Sequence, residues 1–489
     1  MDKVQEIIRQ HITVIDNQLA FKDFSGKSLS QWLDPLLSSV TDDGAVAYLI
    51  GSKKRYRASP LASTLEWLGD SNLLPREAIE IFEDKLIFLR DFGIPDDADA
   101  GCTSKFPEDI SGWSLGEGVS VWSTSAAIIS LFDNYSVWEK HANQIKESVL
   151  WLSAQRSISS HGWAYQNHMN CNVNAVMTSL ALRAIAKALQ NKDKLNLSSE
   201  EEKILRTAII GGFQFLKDTV SVNNKKNISY WTFNNQEHCT ATTWALLALY
   251  EINKLGENDE INKFYHTHLQ RGLRFILSKI PSKPIRWADE KMVEEGGAKY
   301  NKQKNYYSFC VTLLPQLFRL GLSPLHPKVI AQINWLINNP NEWKIKGYDQ
   351  SQMCSFTYAM VIATIAQWAT CVGRVNSMLL AKQRPYVYDK VSHCLYGVEN
   401  DFKSPVRIIL VKRLYLLGGI IVLALVLLFG RTHINNIVVS LATHILTFIG
   451  KSVDDIVINV LSSAIYAMLA GIGYIILKII KRIGRTRID

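Results

Sequence analysis

Several protein classes are excluded by what the chain does not contain. Its seven cysteines (Cys102, Cys171, Cys239, Cys310, Cys354, Cys371 and Cys394) are odd in number and never spaced C-x-x-C. Such scattering argues against a disulfide framework and for reduced thiols in a cytosolic compartment. The first residues are charged and amphipathic (Asp2, Lys3, Glu6, Arg9) and lack the apolar core of a signal peptide, so the bulk of the chain is expected on the cytoplasmic side. No phosphate loop or nucleophile elbow is present. Gly211-Gly212 and Gly296-Gly297 stand alone and do not build G-x-G-x-x-G. No convincing strand pattern interrupts residues 110 to 380. Net charge is also nearly missing from the first 400 residues, where 43 basic side chains face 41 acidic ones. The formal charge of +9 is therefore concentrated in residues 401–489, with 11 Lys and Arg against 4 Asp and Glu. There the basic residues flank apolar segments, which points to membrane headgroups and away from nucleic acid. The one basic cluster upstream, Lys53-Lys54-Arg55-Tyr56-Arg57, reads as a solvated loop, with membrane docking as its functional alternative.

What the chain does contain is a repeat. Trp113, Trp163, Trp231, Trp287 and Trp343 follow one another at 50, 68, 56 and 56 residues. An apolar pair precedes four of them: Trp151-Leu152, Phe215-Leu216, Phe275-Ile276 and Trp335-Leu336. A helix rich in small residues and leucine follows each, beginning near Trp122, Val173, Thr242, Tyr306 and Ser355. A period near 55 residues predicts helix pairs that bury their faces against their neighbours. The pair-bearing helix would be outer and the small-residue helix inner, since Ala, Ser and Thr let helices crowd at a narrow radius. Residues 1–110 are helical in pattern without a clear repeat. The predicted fold is all-α: a single α/α toroid over 1–385, a linker at 386–407, and a two-helix transmembrane hairpin.

The membrane region, 408–489, carries two uncharged apolar runs. Leu414 to Gly430, extended back over Lys412-Arg413 by snorkelling, gives a span at about 408–430; Ile456 to Leu477 gives another at 456–477. Basic residues precede the first and follow the second, which places both ends on the cytoplasmic side of a cell inner membrane by the positive-inside rule. Between them Ile434, Ile437, Val438, Leu441, Ile445 and Phe448 share a helical face, an interfacial helix at about 434–450. Ser463, Ala467 and Gly471 in the second span have the small-xxx-small spacing that supports homo-oligomers.

The Trp repeat, best seen from Trp151-Leu152-Ser-Ala-Gln155 to Gly162-Trp163, resembles the QW-type repeat of the squalene cyclase and prenyltransferase superfamily over residues 60 to 380. That resemblance implies an inner and an outer ring of helices around a central cavity, in a superfamily whose members cyclise terpenes, transfer prenyl groups or bind proteins. It implies an isoprenoid-like ligand. Within it, Pro95-Asp96-Asp97-Ala98-Asp99-Ala100 resembles the D-x-D-D acid of class II terpene cyclases, with Asp97 as orienting partner and Asp99 as catalytic proton donor. Crowded carboxylates in a dry pocket can hold one neutral for such chemistry. The last Asp is Ala100 here, and an acidic turn is the plain alternative. Prenyltransferases hold zinc with Asp, Cys and His; Glu237-His238-Cys239-Thr240 is the nearest counterpart, but no spacing here requires a metal, and His238 reads as a capping or cavity-lining residue. The residues identify no cofactor. Two functions remain open: a membrane-anchored protein that binds or processes an isoprenoid-like ligand, or a non-catalytic sensor whose hairpin disrupts a membrane, for instance in antiviral defence.

Overall fold

The computed structural model describes residues 3–19, 25–51, 57–92, 112–113, 119–134, 137–165, 172–256, 258–294, 304–344 and 353–380, with Asp23. The chain divides into two units, residues 1–404 and 405–489, and the described residues belong to the first. The expected linker, both spans, the interfacial helix, Lys53 to Tyr56, and Asp97 and Asp99 lie outside the described residues.

The first unit is mostly helical. Its helices are α1 (Lys3–Leu19), α2 (Leu29–Leu37), α3 (Ala58–Asp70), α4 (Arg76–Phe92), α5 (Val121–Asp133), α6 (Ala142–Ala154), α7 (Ala175–Gln190), α8 (Ser199–Thr219), α9 (Cys239–Asn253), α10 (Asp259–Lys279), α11 (Leu314–Arg319), α12 (Pro327–Asn338) and α13 (Ser355–Leu380). Helices α3, α5, α7, α9, α11 and α13 touch in that order, and α13 packs back on α3, closing a ring. Helices α4, α6, α8, α10 and α12 pack outside it, each against its sequence neighbour. Amphipathicity separates the layers. In α7 every residue from Ala175 to Leu189 is buried, while α8 buries a single stripe of Leu205, Ala208, Ile209, Gly212, Phe213 and Leu216. An all-round buried helix belongs inside, and a striped one faces water.

The ring is sealed where its ends meet. Ile50 donates its N–H to the Met353 carbonyl at 2.8 Å, Ser355 N–H reaches Tyr48 O at 2.9 Å, and Tyr358 OH reaches Trp32 O at 2.7 Å. Trp32 stacks on Trp343 with centroids 5.3 Å apart.

Three tryptophans of the repeat, Trp113, Trp163 and Trp231, are two-point anchors, and Trp343 keeps the indole point. The indole N–H groups of Trp113, Trp163, Trp231 and Trp343 donate to the carbonyls of Leu86, Leu152, Leu216 and Leu336 at 2.7, 2.8, 2.8 and 3.0 Å. The backbone N–H of Trp113, Trp163 and Trp231 donates to the hydroxyl of Thr124, Thr178 or Thr242, each at 3.0 Å. Each of these threonines stands four residues after the cap of an inner helix, namely Ser120, Asn174 or His238. For Trp163, Trp231 and Trp343 the second residue of the apolar pair, Leu152, Leu216 or Leu336, is thus the acceptor. Gly162 precedes Trp163 because a Cβ there would sit 2.4 Å from Val173 Cγ1 and 2.7 Å from Thr178 Oγ1. Gly112 repeats this before Trp113, at 2.5 Å from Val119 Cγ1 and 2.7 Å from Thr124 Oγ1, so that copy has kept its glycine.

Two local expectations fail. Between 110 and 380 there are strands: β1 (Val220–Asn223), β2 (Ile228–Phe233) and β3 (Gln236–Glu237) form one antiparallel sheet, β4 (Glu290–Glu294) and β5 (Lys304–Ser308) another. Their alternation is short and set among polar residues, so a helical period search passes over them. The inner helix expected from Tyr306 begins instead as strand β5, and a 3-10 turn, Cys310–Leu313, leads into α11. Ser355–Val372 is long and apolar enough to cross a membrane by composition, but it is mostly buried as part of α13.

Connections differ between the two ends of the ring. From outer to inner helices they are long, at 93–120, 155–174, 220–238, 280–309 and 339–354; from inner to outer they are short, at 71–75, 134–141, 191–198, 254–258 and 320–326. The short-loop end is closed by ion pairs across the axis. Arg319 of α11 bonds Glu66 at 2.7 Å, Asp133 at 3.0 Å and Asp70 at 3.3 Å. Arg183 of α7 reaches Glu66 at 3.3 Å, and Lys187 bridges Asp133 and Glu251. The cations around Asp133 hold its carboxyl well below the ordinary range, although burial alone would raise it.

Removing one member of this network leaves opposite charges buried without partners, a loss on the order of 3–5 kcal/mol. Arg319→Ala should therefore lower the unfolding free energy by about that much in denaturant titrations, and an unchanged midpoint would overturn the assignment. For Asp133 the folded pKa is depressed, so its stabilisation is present above the unfolded value near 3.8 and is lost as pH falls below it. His268 and His326, pushed down to about 4 by burial, add a loss from about pH 6.5 downward. Thermal midpoints should decline across both windows.

Candidate ligand-binding mouth of the ring

The long connections gather at the N-terminal ends of the inner helices, where functional residues are most often carried. Side chains at i, i+4, i+7 and i+11 share one helix face. In α5 these are Trp122, Ala126, Ile129 and Asp133; in α9, Thr240, Trp244, Leu247 and Glu251. Cross-ring contacts identify this as the inward face. Trp122 and Trp244 come within 5.1 Å between centroids although α7 separates their helices in the ring, and Asp133 reaches Arg319 across the same axis. The inward face of α13 carries Phe356 and Met360 at the mouth, with Gln367 reaching Asp70 at 3.1 Å on the floor.

Access is graded along the axis. Ser63, Trp122, Ala126, Phe356 and Met360 keep partial solvent exposure despite standing on inner helices, whereas Trp244, one turn deeper, is 9% exposed. The rim is aromatic too: Tyr48 lies 6.0 Å from Phe356, and the Arg57 guanidinium lies 5.0 Å over the Tyr48 ring. The upper lumen is thus lined by aromatic and apolar side chains above an ionic floor. A separate crevice of about 280 Å³, lined by Leu189, Ile209, Ile252 and Leu255, opens among the short loops and carries Asp259 and the paired Arg206 as charged groups.

Beside the recess, the β4–β5 hairpin delivers Glu290 to the start of α9. Its carboxylate accepts from Cys239 N–H at 2.5 Å, from Thr240 N–H at 2.9 Å and from Thr240 Oγ1 at 3.0 Å. Thr240 and Ser308 hydroxyls meet at 2.8 Å. A carboxylate at a helix N-terminus meets orphan amides and the positive end of the dipole, a stabilising placement. His238 caps the same helix, its Nδ1 lying 3.2 Å from Ala241 N and 3.1 Å from Glu290 Oε2. An Nδ1 that accepts from the amide cannot also donate, so in the neutral ring the proton is placed on Nε2. Burial lowers the His238 pKa, opposed by Glu290 and the Lys291 backbone. The capping role expected for His238 is what the geometry gives it. Among the described residues no three His, Cys, Asp or Glu side chains converge as a metal would require. Nothing in the sequence marked Glu290, because its partners stand 50 and 51 residues away.

No known family profile and no curated protein matches the chain. A solved structure that it resembles is a family 76 glycoside hydrolase from a bovine Bacteroides thetaiotaomicron strain, 11% identical, with a TM-score of 0.41, covering 71% of this chain and 79% of that one. The resemblance to the squalene cyclase and prenyltransferase superfamily is corrected accordingly. The similarity found is to a hydrolase, and the Trp repeat that suggested cyclases has a packing explanation in the anchors described above.

Cys239 and Cys310 test the description of this region. Burial first, then Glu290, pushes both thiols well above their ordinary range. Because the thiolate is the reactive form, neither should be alkylated by iodoacetamide in the native protein at pH 8, and both should react once the protein is denatured. Native labelling at the rate of a free thiol, read by mass spectrometry, would contradict the burial.

Proposed function

We propose that the chain is a membrane-anchored cytoplasmic protein whose ring binds an apolar, isoprenoid-like ligand through its long-loop mouth, residues 408–489 forming the anchor. One observation carries this reading: partly exposed Trp122, Phe356 and Met360, with buried Trp244 against Trp122, give the mouth end of the ring an aromatic and apolar lining above an ionic floor. Binding sites for small molecules are concave, mainly apolar and provided with few polar groups. A ligand dissolved in a bilayer would reach a tethered ring without crossing bulk water. Glu290, His238, Cys239 and Cys310 are consumed by capping and burial, which favours binding over catalysis by these groups. The test is to purify the full chain in detergent, extract it and identify what comes off by mass spectrometry. A stoichiometric apolar lipid is expected, with occupancy reduced roughly tenfold or more in Trp122→Ala through lost apolar burial. A folded, lipid-free protein that takes up no isoprenoid would overturn the reading.

The sequence of residues 405–489 favours a second reading, in which the ring is a sensor and the membrane region an effector that permeabilises a membrane in a stress or antiviral response. Ser463, Ala467 and Gly471 give close helix approach its means. Gly471→Leu should then abolish depolarisation on overexpression while the ring stays folded. Unchanged membrane potential in cells overexpressing the native chain removes this reading.

A further inference from the structure

Trp244 presents an unmet requirement. It is 9% exposed, yet its indole N–H has no hydrogen-bond partner. The repeat tryptophans with a bonded indole find a leucine carbonyl, so this chain can satisfy buried indoles and does so elsewhere. The position is inward: Trp244 touches Trp122 across the axis, one turn below the mouth. On the next inner helix Gln316, 2% exposed, has an unpartnered side-chain oxygen and lies one turn before Arg319 of the floor. A buried donor left unmade is costly, whereas a bound acceptor converts it into a favourable bond.

Building on the proposed ligand, we propose that what occupies the recess is an amphiphile and not a bare hydrocarbon. It carries an oxygen, hydroxyl or carbonyl, that accepts from Trp244 Nε1–H beneath an apolar body packed on Trp122, Phe356 and Met360. A hydroxyl suits the two groups best, since it accepts from an indole and donates to an amide oxygen. The surrounding charges do not call for an anion: Arg183, Lys187 and Arg319 already face Glu66, Asp70, Asp133 and Glu251. The ligand class is therefore a neutral long-chain alcohol, or an acyl compound that offers its carbonyl.

Trp244→Phe keeps the ring and removes the donor. Full-length protein in detergent would be titrated by calorimetry with a C20 isoprenoid alcohol and with the hydrocarbon of the same skeleton, for native and variant chains. The alcohol should bind the native protein more tightly, and the variant should weaken it about 5- to 10-fold, the value of one such hydrogen bond, while hydrocarbon affinity stays unchanged. Equal loss of both probes in Trp244→Phe would mean a packing role and overturn the head-group assignment. An alcohol affinity untouched by the variant would overturn it as well, leaving the apolar recess standing. Failure of both probes to bind the native chain would instead remove the apolar-ligand reading.

Discussion

A tryptophan fixed at two points sets the geometry of this ring. An outer helix must end, the chain must cross to the inside, and an inner helix must begin in register with its neighbours. At helix ends the last carbonyls have no partner of their own. Leu152, Leu216 and Leu336 stand in the last turns of α6, α8 and α12, and an indole N–H serves each of them. In the Trp163 and Trp231 copies the same residue's backbone N–H binds a threonine one turn into the following inner helix, so one side chain and one amide index two helices at once. Only an indole combines a large apolar body with a single donor at its far edge. Phenylalanine would fill the space and lose the indole–carbonyl bond; glutamine would reach the carbonyl and leave a void.

The ionic floor depends on that indexing. Buried ion pairs repay their desolvation only when geometry is good and every charge is shared. Here Glu66, Asp133 and Arg319 each engage more than one partner, and the partners come from five inner helices, α3, α5, α7, α9 and α11. A shift of one helix by a turn would strand at least one carboxylate. The network therefore acts as a register lock for a ring whose apolar contacts alone are forgiving, since Leu and Ala stripes can slide by a turn at modest cost.

The ring was legible in the sequence because its causes are local and periodic. Tryptophan spacing, the apolar pairs and the small-residue helices each state part of the anchor, and they gave the layer assignment of α5 to α10 as well as α12 and α13. The polar run from Asn223 to Asn227 was readable as a loop, though not as one that turns between two strands. The hairpins themselves were not, because a strand of five or six residues among polar neighbours has no period to detect. The lumen was least visible. Trp122 and Trp244 sit in helices that read as ordinary core, and only closure of the ring brings them face to face. Glu290 and Arg319 likewise gain meaning from partners far along the chain. The family resemblance overreached for the same reason: a packing motif reports how helices are joined, not what the hollow between them holds.

Closure also orders the dipoles. With outer helices running the opposite way between them, the inner helices are parallel, N-termini at the mouth and C-termini at the floor. Carboxylates at the C-terminal ends, as Asp70, Asp133 and Glu251 are, oppose the local dipole, and that explains why Arg183, Lys187 and Arg319 are required beside them. At the mouth the same dipoles favour oxygen acceptors over donors. Glu290 already takes up the amides of α9, and Ser120, Asn174 and His238 side chains cap α5, α7 and α9. What those caps leave is a rim of modest positive potential above an apolar wall. An aliphatic chain without an oxygen would gain nothing from that potential, and a doubly charged head would meet the ionic floor already neutralised. A neutral, oxygen-bearing chain is the chemistry that the dipoles, the aromatic wall and the unmet Trp244 N–H accommodate together.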